Sequence, residues 1–448
     1  MSFALALLAA VGGGPSLDVS PERRPTNVVL IMADDLGAEW LSCYNPAAPP
    51  TPHLDALAAG GTRFTRCFSQ PLCTPSRVVL MTGKYNYRNY VEFGFLPPEE
   101  RTIGDVFREA GFRTGVFGKW QLSGDGPDRP DAIDPADWGF DEHLLWQLSR
   151  RPGHGDKGPR YWNPKLETGG AIRRSARDEY GPDLFGDALL EFAARDDDRP
   201  FLAYYPMVLT HDPFLQTPET GPPTGKAQAD PKHFPEMVRY TDRLVGRIVA
   251  GLEAAGLREN TAILFCGDNG THPSVVCPTP HGPYRGGKGL LNDRGTWVPL
   301  IVSLPSRVPA GATADRPVDF SDLLPTVCTL AGVPVPPSSG ENGGDGASPF
   351  AADGSPVKPP RTAAFVWYDP RHNARINQQA GAFARDGRYR LYADGRFFDA
   401  GDPLDPAEEE LTEPLTDEQR RVRQSLAAEL ARHAQQGGGL PRASASGP

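Results

Sequence analysis

Residues 27–33, NVVLIMA, form a continuous apolar run after a single polar residue. A strand buried on both faces of a parallel sheet has this pattern. Similar short runs return at 113–118, at 201–206 (FLAYYP), at 261–266 (TAILFC) and at 297–305 (WVPLIVSLP). Segments with helical character alternate with them. TPHLDALAAGG (51–61) ends on a glycine stop, and the stretch from 101 turns at Gly111 before its strand. Residues 183–195 read as helix, and 236–255 carries Met237, Leu244, Ile248 and Leu252 near helical spacing. DFSDLLPTVCTLAGV (319–333) starts on Asp/Ser and stops at Gly332. Such alternation predicts an α/β domain whose large, mainly parallel or mixed sheet is sandwiched by helices.

The pattern changes after residue 333. Residues 334–361 are rich in Pro, Gly and Ser and read as a linker or surface excursion. Short strand-like runs follow at 363–368, 381–386, 389–393 and 397–400, with Asp-Gly hairpin signals in RDGR and ADGR. A charged helix at 416–436 and a Gly/Ala/Ser tail complete the chain. The expected organisation is a leader at 1–22, a catalytic α/β domain at 23–335 and a linker at 336–362. A smaller antiparallel sheet plus helix occupies 363–438, and a tail 439–448.

Composition narrows the function classes. The formal net charge of −10 argues against a nucleic-acid or anionic-membrane binder, so an anionic substrate needs a local cationic pocket. The apolar run Phe3 to Val11 has the length of a signal-peptide core and is too short to span a bilayer. Periplasmic or secreted localisation, with no integral membrane segment in the mature chain, is the expectation. The six cysteines show no zinc-type spacing. Cys266 and Cys328 sit in apolar runs as small buried hydrophobes. Cys43, Cys67 and Cys277 could pair or stay free.

Chemistry-bearing residues gather where strands end. Asp34-Asp35 follow the first strand and Asp268-Asn269 follow the strand at 261–266. In open α/β sheets the ligand crevice lies at that edge. Three carboxylates and an amide oxygen suit Ca²⁺, or less well Mg²⁺, rather than Zn²⁺; taken singly, both motifs also read as turns. Lys119 ends the strand at 113–118, His211 follows the one at 201–206, and Lys288 lies in the glycine-rich RGGKG. Each alone reads as a solvated charge or a loop hydrogen-bonder; their shared placement raises them. Between these lies CTPSRVVLMTG (73–83). Pro75 is well placed to open a helix, which sets Cys73 at a helix N-terminus that favours an anion, with Arg77 one turn further in.

The spacing C-x-P-S-R-x-x-L-x-T-G resembles the signature of the type I sulfatases of the alkaline phosphatase superfamily. NVVLIMADDLG, TPHLDALAAGGTRF, GVFGKW, WGFDEH, NTAILFCGDNG, GGKG, WVPLIV and DFSDLLPT extend the resemblance from about residue 26 to 400. It implies that Cys73 is converted to formylglycine, the nucleophile, by a formylglycine-generating or equivalent maturation enzyme. It implies Ca²⁺ held by Asp34, Asp35, Asp268, Asn269 and an oxygen of modified residue 73. Arg77, Lys119, His211 and Lys288 would surround the sulfate, with His211 and Lys288 assisting the leaving group.

The chain departs from the family at one chemical position. Gln121 follows Lys119-Trp120 where the family usually has a histidine, the residue assigned to deprotonate the formylglycine hydrate. Glutamine can hold that hydroxyl but is no general base. His272 and His281 are candidate replacements, although both read more simply as loop residues. The expected activity is hydrolysis of sulfate esters of a small molecule or glycan, with a sulfated carbohydrate preferred. A phosphodiester or phosphonate monoester hydrolase is the first alternative, and a sulfate-ester binding protein without turnover the second. Loops 84–100, 145–180 and 212–235 and the C-terminal part are expected to line the pocket. Gln121 and Arg285 would contact substrate there, and Trp146, Tyr161 and Trp162 could do so or simply pack.

Overall fold

A computed structural model describes residues 25–124, 133–146, 158–222, 229–337, 343–357 and 362–439. The leader and residues 440–448 of the tail lie outside the described residues, as do parts of the linker and of the loops at 145–180 and 212–235.

The central strand is β1 (Asn27–Ala33), and all seven of its residues are buried. Its continuous apolar run follows from two-sided packing. Val29, Ile31 and Ala33 join one core with the helices Gly181–Ala193 and Phe234–Ala254. Val28, Leu30 and Met32 join the other, with α2 (Cys73–Thr82) and the helix Leu323–Ala331; α1 (Pro52–Ala59) packs on the first side.

The remaining strands of this layer are β2 (Thr62–Phe68), β3 (Arg113–Lys119), β4 (Glu142–Trp146), β5 (Lys165–Thr168), β6 (Ala171–Arg174), β7 (Phe201–Pro206) and β8 (Thr261–Gly267). A separate hairpin, β9 (Val276–Thr279) and β10 (Gly282–Arg285), follows. Next come β11 (Trp297–Ser303), β12 (Ala312–Ala314) and β13 (Val318–Asp319). Among the described residues the large sheet has eleven strands, ordered β12-β2-β11-β8-β1-β7-β3-β4-β5-β6, with β13 on β2. β8, β1, β7, β3 and β4 run parallel, so their C-terminal ends share one edge. β11 and β5 are antiparallel to their neighbours, which makes the sheet mixed.

The second layer is an antiparallel sheet of β14 (Ala364–Tyr368), β15 (Gly381–Arg385), β16 (Tyr389–Tyr392), β17 (Phe397–Asp399) and β18 (Glu409–Glu410). The expected Asp-Gly turns join β15 to β16 and β16 to β17. The helix Asp417–His433 starts at a Thr416 capping box and buries Leu426 and His433. The His433 ring stacks on Phe365 at 3.7 Å. The architecture is therefore the expected α/β sandwich with a smaller antiparallel sheet and helix.

Several details differ from expectation. Neither β4 nor β2 was read from the sequence. β2 is half-buried and carries Thr and Arg on one face, so it shows no apolar run. The stretch at 319–333 splits into a 3₁₀ turn, Phe320–Asp322, and a helix from Leu323. Part of the Pro/Gly-rich segment is fastened to the body. Asp345 bonds Arg88 at 2.8 Å, and Phe350 packs edge-on against Phe64. All six cysteines are free.

A buried ion triad joins the layers. Asp293 Oδ1 accepts from Arg390 Nη1 at 2.8 Å, and Asp293 Oδ2 from Arg385 Nη2 at 3.0 Å. Burial alone would raise the Asp293 carboxyl, yet the two guanidiniums hold it below the usual range. A depressed carboxylate stabilises fully above its unfolded value of about 3.9 and loses that contribution as pH falls through the folded value. Asp293→Asn is expected to cost about 3–5 kcal/mol, because it leaves the buried Arg385 guanidinium without its close carboxylate and Arg390 with Glu408 alone. Urea unfolding checks this, and the variant should lose less stability than wild type as the solution is acidified below about pH 4.

Candidate active site

The shared C-terminal edge of the parallel strands carries the site. Asp34 and Asp35 follow β1, and Asp268 and Asn269 follow β8; all four are fully buried. Asp35 has φ 62°, a left-handed conformation that aspartate tolerates better than most residues. Its N–H donates to Asp268 Oδ1 at 3.0 Å. The Asn269 amide nitrogen donates to Asp35 Oδ1 at 2.9 Å, while its Oδ1 is buried without a partner.

Cys73 is the first residue of α2, whose extended N-cap Leu72 leaves the first turn open to the cleft. Gly83 ends the helix with φ 67° and donates to Val79 O. A Cys73–Asp34–Asp268 group and an Asp34–Asp35–His211 group each bring their potential ligand atoms within 4.8 Å of one another. These buried oxygens, including the orphaned one of Asn269, fit a hard divalent cation.

Cations face the carboxylates. Lys119 Nζ lies 3.0 and 2.8 Å from the two Asp34 oxygens. Arg77, fully buried, donates to Asp268 Oδ2 at 2.9 Å and to Lys119 O at 3.0 Å. Lys288 Nζ reaches Asp35 Oδ2 at 2.7 Å and His211 Nε2 at 3.2 Å. The glycines beside Lys288 are required by close approach. A Cβ on Gly286 would sit 2.5 Å from His272 O, and one on Gly287 2.5 Å from the Arg294 side chain. His211 Nδ1 contacts the Asp212 carboxylate at 3.0 Å.

The electrostatics are uneven. Burial raises Asp34, but Lys119, His211, Arg77 and Lys288 together pull it well below the carboxylate range. Burial and the Asp34 charge push Asp268 up to about 7 despite its bond to Arg77. Burial and then Lys288 lower His211, which favours the neutral ring. Burial disfavours the Lys288 charge, but Asp35 overcomes this and holds the ammonium well above its ordinary range.

A cleft of about 720 Å³ opens above Cys73, within the usual size of ligand sites. Lys119, Gln121, His211, Lys288 and Arg285 line it, so the structure brings these sequence-selected residues together. Gln121 has φ 58° and an Oε1 buried without a partner. His272 reaches the wall, whereas His281 lies outside it and contacts Asp402 at 3.4 Å. Of the three aromatic candidates, Tyr161 donates to Val208 O at 2.8 Å, Trp162 donates to Gln216 O at 2.9 Å, and Trp146 is buried. All three pack.

Sequence reasoning missed Arg160 and Asp212. Arg160 stacks over Trp146 at 4.0 Å, and its buried Nη1 lies 4.0 Å from Asp34 Oδ2 without a hydrogen-bond partner. No motif marks it. Asp212 was visible as the residue after His211 in THDP.

Comparison with known proteins places this geometry. The sulfatase family profile matches residues 26–333. Arylsulfatase A of Homo sapiens is 32% identical over 363 residues, covering 74% of this chain and 68% of the relative. The crystal structure of Ps i-CgsB in complex with k-i-k-neocarrahexaose superposes with a TM-score of 0.74 at 24% identity, covering 94% of each chain. That of the phosphonate monoester hydrolase of Agrobacterium radiobacter reaches 0.63 at 21% identity, covering 92% of this chain and 96% of that one. At these identities the two structures speak for the fold alone. The family match over most of the chain, together with the 32% identical relative, shows that this chain belongs to the sulfatases, a family of sulfuric ester hydrolases.

Proposed function

We propose that the protein hydrolyses sulfate esters of a carbohydrate, using formylglycine made from Cys73 and a Ca²⁺ ion. The carrying observation is the convergence of Cys73, three buried carboxylates, three cations and His211 at one sheet edge. Asp34, Asp35, Asp268 and Asn269 would hold the ion, which supplies positive charge beside the sulfate. The hydrated aldehyde would supply two geminal hydroxyls, one to attack sulfur and one whose deprotonation expels sulfate.

The chain's own residues do the rest. Lys119 and Lys288 offer fixed positive charge to the non-bridging sulfate oxygens in a site largely withdrawn from water. Arg77 holds Asp268 and the Lys119 carbonyl, which fixes the floor. Lys288, held as an ammonium 3.2 Å from Nε2 of the His211 ring that Asp212 orients, delivers a proton to the departing oxygen, and His211 supports that transfer. Residues 363–438 supply part of the cleft wall. The apolar N-terminal run supports export, and no helix among the described residues is long and apolar enough to cross a membrane.

Relative kcat/KM on 4-nitrophenyl sulfate and on phenyl phosphate mono- and diesters and phosphonate monoesters tests the reading. A clear preference for sulfate is expected; preference for phosphorus esters would overturn it. Gln121, which supplies no general base where the sulfatases usually carry histidine, is what favours that second reading.

Gln121 also gives a mechanistic test. Histidine is among the residues that tolerate left-handed backbone, so Gln121→His fits the local φ. The substitution is expected to raise kcat by up to about 100-fold, the low end of general-base effects. It should add an ionisation near pH 6.5 to the rate profile. Unchanged kcat would show that another group already accepts the proton.

A further inference from the structure

The cleft carries more positive charge than one sulfate ester uses. At the floor, Lys119, Lys288 and Arg77 are each matched to a carboxylate. The wall adds Arg285, Arg294 and Arg375. Arg285 donates to the backbone oxygen of Pro273 at 3.0 Å rather than to an acid. Arg294 and Arg375 hold no ion pair or hydrogen bond among the described residues.

Arginines nearby on the C-terminal sheet behave differently. Arg371 pairs with Asp369 at 3.2 Å, Arg388 with Asp399 at 2.6 Å and Arg396 with Asp394 at 2.9 Å. The chain as a whole is acidic at −10, so carboxylates are plentiful. Two guanidiniums on the wall of one concave site, beside Arg160 and Arg285, thus stand without a carboxylate partner among the described residues.

Both arginines sit on built supports. Arg375 lies in the helical turn Ala374–Asn377, pinned by Asn373 Oδ1 accepting from Ile376 N at 3.0 Å. Arg294 follows Asp293, whose carboxylate is locked by Arg385 and Arg390. Guanidinium stays charged at any physiological pH and pairs planar or tetrahedral oxyanions through two parallel N–H bonds.

We infer that the substrate bears a second anionic group besides the scissile sulfate, a sulfate or a carboxylate, bound on the cleft wall by Arg294 and Arg375. This rests on the sulfate-ester reading of the Cys73 site and names the class of glycan it takes.

The test uses the mature enzyme with residue 73 modified and 4-nitrophenyl sulfate as reporter. Competing sulfated disaccharides carry one sulfate, two sulfates, or one sulfate plus a uronate carboxylate. The inhibition constant is expected to fall by about tenfold or more when the second anion is present. The gain should shrink as salt is raised. Whichever dianion binds tighter identifies the second group. Arg294→Gln and Arg375→Gln should each cut the ratio of mono- to dianion constants several-fold, and Arg375→Lys should restore part of it.

Equal constants for mono- and dianions overturn the inference. A dianion advantage untouched by both glutamine variants overturns its assignment to these residues. Absence of any 4-nitrophenyl sulfate turnover counts against the sulfatase reading instead. Titration calorimetry of the same disaccharides against the enzyme then still decides whether dianions bind more tightly.

Discussion

Cys73→Ala is expected to lower kcat on sulfate esters by about 10⁴-fold or more, the scale seen when a covalent nucleophile is removed. The effect should be chemical rather than structural. Cys73 opens α2 and is 2% exposed, yet the substitution deletes a single heavy atom beside the cleft. A small deletion of this kind costs about 1 kcal/mol. Melting temperature should therefore fall by only a few degrees while rate is lost. The companion measurement is the mass of the peptide carrying residue 73, where conversion to the aldehyde replaces sulfur and two hydrogens by one oxygen. Full turnover by enzyme whose Cys73 is unmodified, or by the alanine variant, would remove the nucleophile from this account.

Chelation is the second large effect. Stripping divalent ions with EGTA is expected to lower turnover at least about 100-fold, more than the 10–100-fold typical of losing a supporting contact around a metal. Adding back Ca²⁺ should restore it. The reason lies in charge balance. Asp34, Asp35 and Asp268 are fully buried within a small volume, and burial and Asp34 push Asp268 up to about 7. Arg77 and Lys119 relieve that third charge only in part. A divalent ion would complete that relief, and would also engage the orphaned Asn269 Oδ1. At a thousandfold excess over its dissociation constant, Ca²⁺ adds about 4 kcal/mol to stability, read as a rise in melting temperature. Identical melting and turnover with EGTA and with Ca²⁺ would sink the metal reading. Mg²⁺ should be the weaker activator, because it demands stricter octahedral geometry and gives up its water reluctantly.

Much of this was legible in the chain because burial on two faces leaves a plain signature. β1 and β8 appear as unbroken apolar runs, and the acidic pairs that follow them mark the sheet edge where ligands bind. Strands with one polar face left no such mark. β2 reads TRFTRCF, and the β9–β10 hairpin carries Pro278 and Pro283. The site residues that follow strands were found for the same reason. Arg160 was not, since its placement depends on Trp146 beneath it and Asp34 beside it, contacts that only the folded chain creates. His281 shows the converse. It looked available in sequence, but the hairpin turns it towards Asp402 instead of the cleft.

The Asp293 triad has a consequence for exchanging parts between relatives. A chimera that grafts another C-terminal sheet onto this α/β body must bring arginines at both the 385 and 390 positions, or Asp293 is left as a buried charge without a partner. The same graft would replace Arg375 on the cleft wall while leaving Arg294 behind. Compatibility and substrate choice are thus inherited together, so swapping this sheet while keeping the triad is a direct route to retuning selectivity without touching the nucleophile.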